Sequence, residues 1–263
     1  MEKSHIRRAF DRAAASYDQA AALQRQVCDA LEAALEANPS DLSAGVLLDA
    51  GCGTGYGATL LGRRFPKRPL LLADFAPAML ARARSQTRNP ATATEPLALG
   101  ADLEHLPLAP ASVALYWSSL AVQWCDLGRC LKEAARVLAP GGHLAFSTLG
   151  PGTFAELAQA FTGIDGHRHV LPFAPPATCG EAMLGAGFQE LRVERRKLQV
   201  FYPDLRSLLR AIKDIGANQV GGTRRAGFLG KAAWQTVEAR YEQHRTAAGL
   251  PATYDVVLCT AVK

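Results

Sequence analysis

The chain has 263 residues, 49% of them apolar and 20% charged, with a net charge of +5 and an isoelectric point near 9.0. That length buries a large core, the first residues lack the apolar stretch of a secretory leader, and the weakly charged segment 105–125 is interrupted by Pro107, Pro110 and Gln123, so a membrane span is not expected and a cytoplasmic location is. Six cysteines, at 28, 52, 125, 130, 179 and 259, form no Cys-x-x-Cys pair, which suits reduced thiols and argues against zinc or any other metal site.

In chain order, residues 3–38 are predicted helical, with Ile6, Phe10, Ala13 and Tyr17 on one apolar face. Strands are then predicted at 45–50, 69–74, 96–100, 112–117 and 142–148, and helices between and after them at 56–64, 77–87, 128–138 and 152–161. Strand-like alternation returns at 190–201 and 253–262, as an antiparallel end to the sheet. The pattern predicts a Rossmann-like, doubly wound and mostly parallel α/β sheet with an antiparallel last strand in a single domain, 1–263. Residues 204–249 interrupt the last two strands and begin with an amphipathic helix, so segments 1–38 and 204–249 are predicted to form a helical cap.

The most informative segment is Val46-Leu-Leu-Asp-Ala-Gly-Cys-Gly-Thr-Gly-Tyr-Gly57, an apolar strand ending in Asp49 and a loop with glycine at 51, 53, 55 and 57. Glycine permits left-handed backbone and close approach of a ligand, and open α/β sheets bind ligands at the carboxyl ends of their strands. Gly53-x-Gly55-x-x-Ala58 matches a dinucleotide fingerprint, with Asp74 as a ribose ligand about 20 residues on. A nicotinamide dehydrogenase is thus one reading. The longer string Asp49-x-Gly51-x-Gly53-x-Gly55 resembles motif I of class I S-adenosyl-L-methionine-dependent methyltransferases. That resemblance implies that Asp74, ending the second strand, binds the ribose hydroxyls, and that Ala101-Asp102-Leu103 holds the adenine. A carboxylate accepts two hydroxyl hydrogen bonds at once, so the Asp74 role is chemically sound. The expected cofactor-binding set is Tyr17, Asp49, Gly51, Gly53, Asp74, Phe75, Met79, Asp102, Leu103 and Ser118, with Tyr17 offering an aromatic face to a sulfonium.

Three further strings narrow the resemblance: Ile6-Arg-Arg-Ala-Phe-Asp-Arg-Ala-Ala-Ala-Ser-Tyr-Asp18, Trp117-Ser-Ser-Leu-Ala-Val-Gln-Trp-Cys125 and Ser147-Thr-Leu-Gly-Pro-Gly-Thr-Phe154. With Lys213-Asp-Ile-Gly-Ala-Asn218 and Thr253-Tyr254, they resemble the malonyl-acyl-carrier-protein O-methyltransferase family of biotin synthesis over nearly the whole chain. One departure is Ser112-Val113-Ala114, where that family commonly has Phe-Asp before its fourth strand. The resemblance implies methylation of the free carboxylate of a malonyl thioester, on acyl carrier protein or coenzyme A. A carboxylate is ionised at neutral pH, so no catalytic acid or base is expected, only positioning.

For the acceptor carboxylate, Arg206, Arg210 and Lys213 make one cationic helix stripe, and Arg210 or Lys213 is the expected ligand, with His169 and Trp117 as further contacts. The runs Arg192/Arg195/Arg196/Lys197 and Arg224/Arg225/Lys231 are candidates for docking an acidic carrier protein. Neither has interleaved aromatics, so nucleic acid is not expected as a partner. A monomer is expected. Methylation of a small free acid and a non-catalytic cofactor-binding role remain the alternatives.

Overall fold

A computed structural model describes residues 2–37, 41–87, 95–217 and 229–263. Three helices open the chain, α1 (Lys3–Ala13), α2 (Tyr17–Ala20) and α3 (Ala22–Ala34). There follow β1 (Val46–Ala50), α4 (Tyr56–Arg64), β2 (Leu70–Asp74), α5 (Pro77–Thr87), β3 (Leu97–Gly100) and β4 (Val113–Ser119). A short 3-10 turn at Val122–Trp124 leads into α6 (Leu127–Val137), β5 (Leu138–Leu149), α7 (Ala155–Phe161) and α8 (Pro176–Gly185). The chain closes with β6 (Gln189–Tyr202), α9 (Leu205–Asp214), α10 (Lys231–Glu242) and β7 (Leu250–Val262).

The seven strands form one sheet in the order β3-β2-β1-β4-β5-β7-β6. All pairings are parallel except those of β7, which runs antiparallel to both β5 and β6. Strand order reverses between β1 and β4, which is where such sheets open a crevice. Register brings the ends of the inner strands level: Asp49 lies opposite Leu72 and Trp117, and Asp74 opposite Gly100.

Alternate strand residues face opposite helical layers, as the period of two requires. Leu47, Leu115, Trp117 and Ala145 pack with α3, α4, α7 and α10. On the other face Leu48, Tyr116, Leu144 and Phe146 pack with α6 and α8. Helix α6 shows how sequence sets such an element. The Asp126 carboxylate caps it by accepting the Arg129 N–H at 2.9 Å, an arrangement worth about 1 kcal/mol. Cys130, Leu131, Ala134 and Val137 then fall on one buried stripe.

Two expectations need correction. The amino-terminal segment is three helices because the chain breaks twice, at Ala14–Ser16, where the Ser16 hydroxyl donates to the Asp214 carbonyl at 3.1 Å, and at Ala21, which leaves helical backbone. Helix α8 was not foreseen; Gly180 and Gly185 depress its propensity, and burial of Cys179 and Met183 against the sheet compensates. Among the described residues, no helix is long and apolar enough to cross a membrane.

Candidate functional site

The loop after β1 is folded by its glycines. Gly53 has φ +54, nothing lies within 4 Å of where its Cβ would stand, and its N–H donates to the Asp74 carboxylate at 2.9 Å. Gly57 is needed for close approach, since a Cβ there would lie 2.8 Å from the Trp117 indole nitrogen and 3.1 Å from the Asp49 carboxylate. Thr54 Oγ1 donates to Asp18 at 2.6 Å, tying the loop to α2.

Three acids stand at three consecutive strand ends, in three environments. Asp49 is buried beneath the loop, with Oδ2 lacking a hydrogen-bond partner. Burial, then the charge of Asp74, push its carboxyl up to about 7 against the lowering effect of the Ala58 N–H. Asp74 accepts from Gly53 N–H through Oδ2 and from Ala76 N–H through Oδ1 at 2.8 Å. Burial raises it to about 6, opposed by these N–H groups. Asp102 is one-third exposed. Burial disfavours its charge, but hydrogen bonds from Lys3 Nζ (2.6 and 2.7 Å) and Glu104 N–H (3.0 Å) outweigh it and hold the carboxyl below the usual range. Lys3 also reaches Glu104 at 2.7 Å.

Tyr17, Gly51, Gly53, Asp74, Phe75, Met79, Asp102 and Leu103 line one cavity, with Lys3, Phe10, Ser119 and Trp124. Asp49, buried at the end of β1, does not line it. Ser118 does not reach it: the strand turns Ser118 to the face it shares with Tyr116, fully buried and with its hydroxyl unpartnered, and Ser119 lines the cavity instead.

A second cavity of about 200 Å³ shares Phe10, Tyr17, Leu120 and Trp124 with the first. Its further walls are largely apolar, including Leu149, Phe154, Leu209, Ile212 and Ile215, so α1–α3 and α9 converge on it. The polar groups present are few. Gln24 and Gln123 each have a buried, unpartnered side-chain oxygen. His169 lines the same cavity; its Nε2 lies 2.9 Å from Asp165 Oδ1 and its ring stacks on Phe161 at 3.7 Å. Phe154 is held with φ +55 by its N–H bond to the Thr253 carbonyl at 2.7 Å and by edge contact with Tyr254.

The expected acceptor contacts are placed unevenly. Trp117 does not line either cavity; it is fully buried beneath the glycine loop, its indole nitrogen unpartnered, and Trp124 is the tryptophan common to both cavities. Arg210 and Lys213 are exposed on the outer face of α9, because Leu209 and Ile212 take the inner one. Of the basic run on β6, Arg192 pairs with Glu36, Arg195 with Asp255 and Arg196 with Glu194. Arg224 and Arg225 lie outside the described residues, as does Asn218 of the Lys213–Asn218 string. Sequence reasoning missed Lys3, for which a lone lysine gave no signal, and Phe10 as a cavity wall, although its spacing from Tyr17 had placed both on one face.

A family model described as a methyltransferase domain matches residues 48–146. A malonyl-[acyl-carrier protein] O-methyltransferase of Dechloromonas aromatica (strain RCB) is 46% identical over 261 residues, covering 99% of this chain and 95% of the relative. The chain belongs to the malonyl-[acyl-carrier protein] O-methyltransferase family. The member from Laribacter hongkongensis (strain HLHK9) is 42% identical over 97% of this chain and 88% of its own. The biotin biosynthesis bifunctional protein BioHC of Cellvibrio japonicus (strain Ueda107) is 36% identical, the match spanning 98% of this chain and 50% of that protein. Solved structures share the fold at low identity. The YcgJ protein of Bacillus subtilis has a TM-score of 0.62 at 14% identity, over 90% of this chain and 98% of that one. A Haemonchus contortus phosphoethanolamine N-methyltransferase 2 solved with S-adenosylhomocysteine has 0.60 at 19%, over 96% and 57%.

As a member of this O-methyltransferase family the chain is an S-adenosyl-L-methionine-dependent methyltransferase with a Rossmann-like fold. Its cavity suits that cofactor: Gly53 leaves open space and Asp74 retains lone pairs beyond its two N–H bonds.

Proposed function

We propose that the chain transfers the methyl group of S-adenosyl-L-methionine to the free carboxylate of a malonyl thioester on acyl carrier protein, giving the methyl ester that primes pimeloyl synthesis for biotin. The meeting of a polar, acid-lined cavity with an apolar one at Phe10, Tyr17, Leu120 and Trp124 carries this reading, since a donor in the first and an acceptor in the second would meet at that junction. The named relatives supply the acceptor's identity.

The bound cofactor supplies an activated methyl on a sulfonium. Asp74 would take the ribose hydroxyls, Asp102 the adenine edge, and Gly51 and Gly53, with Asp49 beneath them, the amino-acid end. Tyr17 presents its ring at the junction. The acceptor is already an anion, so these residues need move no proton; they align it with the methyl carbon, a contribution of up to roughly 7–11 kcal/mol in intramolecular analogues. The apolar walls strip water from the nucleophile and strengthen every electrostatic contact within. His169, oriented by Asp165, is the side chain proposed to hydrogen-bond the malonyl carboxylate, replacing Arg210 and Lys213 in that role. The chain acts as one domain and as a monomer, with the described parts of segments 1–38 and 204–249 as its cap.

Transfer of labelled methyl to malonyl carrier protein, with acetyl carrier protein and free malonate as controls, tests the proposal. Labelling confined to the malonyl thioester is the expected result. Labelling of the acetyl carrier refutes carboxylate methylation, and labelling of free malonate alone selects the small-acid reading.

A further inference from the structure

A third cavity, of about 340 Å³, lies against the acceptor cavity, and Gln123, Leu171 and Phe173 line both. Nothing in the methyl-transfer chemistry above uses it. Its walls are apolar at Val122, Leu127, Pro172, Ala174 and Cys179, with the Thr148 hydroxyl and the Gln123 amide as polar points. Arg168 completes it: the residue is exposed, and among the described residues it makes no hydrogen bond or ion pair.

One loop serves both cavities. Arg168 faces the third, His169 and Val170 face the acceptor cavity, and Leu171 and Phe173 stand in the wall between them. A ligand reaching from one into the other would therefore be held along its length by consecutive residues. It would be uncharged and partly apolar where the walls are apolar, would carry amides for Gln123 and Thr148, and would end in an anion at Arg168.

Resting on the function proposed above, we infer that this cavity is the seat of the thioester's phosphopantetheine arm, with Arg168 receiving the phosphodiester that joins the arm to the carrier. The arm has this chemistry in this order: a thioester, two amides separated by short methylene runs, a branched apolar end and a phosphate. A guanidinium holds phosphate through two parallel N–H bonds, which a lysine does not reproduce. Arg168 thereby distinguishes a carrier-borne malonyl group from a short thioester, while the acceptor cavity reads the malonyl group itself.

The test compares four malonyl donors of increasing length: the N-acetylcysteamine thioester, the pantetheine thioester, the phosphopantetheine thioester and the carrier protein. Arg168→Ala should raise KM for the two phosphate-bearing substrates by roughly tenfold, the loss of a solvent-exposed charge-assisted pair, and leave the other two within about twofold. Ala174→Trp, at a position that lines the third cavity and not the acceptor cavity, should raise KM for every substrate longer than the N-acetylcysteamine thioester and spare that one. Equal effects of Arg168→Ala on pantetheine and phosphopantetheine thioesters would overturn the assignment, as would an Ala174→Trp enzyme with unchanged KM for the carrier. Wild-type enzyme that methylates no malonyl thioester would instead overturn the proposed function itself, and this inference with it.

Discussion

The Asp74 carboxylate lies between two backbone N–H groups, that of Gly53 on the glycine loop at 2.9 Å and that of Ala76 at the start of α5 at 2.8 Å. One side chain thus fixes the loop relative to the next strand while facing the cofactor cavity.

Asp74→Asn should weaken cofactor binding by roughly 10- to 100-fold, because an amide cannot accept from Gly53, Ala76 and two ribose hydroxyls together, and charge-assisted bonds are worth about 1.5–3 kcal/mol each. Calorimetric titration with S-adenosyl-L-methionine measures this; affinity within about twofold of wild type would remove Asp74 from the ribose site.

Asp49 makes stability depend on pH. Its folded-state carboxyl, near 7, lies above its ordinary 3.8, so the folded state holds a proton that the unfolded chain has lost. Stability from this group is complete below about pH 4 and falls as pH rises through 7. Asp49→Asn should flatten that slope, raising Tm at pH 8 by about 2–4 °C for each kcal/mol of burial penalty relieved, with little change at pH 4. The same variant should bind cofactor more weakly. A Tm difference independent of pH would show that Asp49 is not the titrating group.

Gly152 packs against Asp255, whose buried carboxylate accepts the Gly152 N–H at 2.9 Å and the Arg195 guanidinium at 2.8 Å. A Cβ at position 152 would stand 2.9 Å from the same carboxylate, so Gly152→Ala must displace the turn that carries Phe154. The expected cost is about 1–3 kcal/mol by chemical denaturation, with a raised acceptor KM. Cofactor affinity should hold, since this turn touches only the acceptor side; equal losses of both would contradict the division between the cavities.

Arg210→Ala should leave acceptor KM unchanged within about twofold and stability within about 0.5 kcal/mol, as for an exposed side chain on the outer face of its helix. A large rise in acceptor KM would return the carboxylate site to α9.

Sequence legibility followed the range of the interactions involved. The glycine loop and the acids at 49, 74 and 102 were readable because strand ends, turns and glycine spacing are local. Helix α4 and helix α5 were placed residue for residue, their starts marked by the end of the glycine loop and by Pro77. The acceptor side depended on which way side chains turn. Arg210 and Leu209 are neighbours in sequence, and the stripe of cations was visible, but only packing of the apolar stripe inward decides that the cations face out. Trp117 and Trp124 presented the same difficulty, resolved by β4 burying the first and the 3-10 turn offering the second. Lys3 meets Asp102 across 99 positions, a distance no pattern spans.

Two contacts of the amino-terminal segment have a bearing on how the protein comes to be folded. Lys3 reaches Asp102, and Ser16 reaches Asp214 across 198 positions. Contacts of such separation form against a large loop-closure entropy and belong to the later stages of folding. A ribosome-bound chain that has emerged only through β4 already has its glycine loop and its three acids, but not the α9 carbonyl that anchors Ser16. Tight cofactor capture should therefore report a finished chain, and the cofactor, by binding the native state alone, should draw the last folding steps to completion.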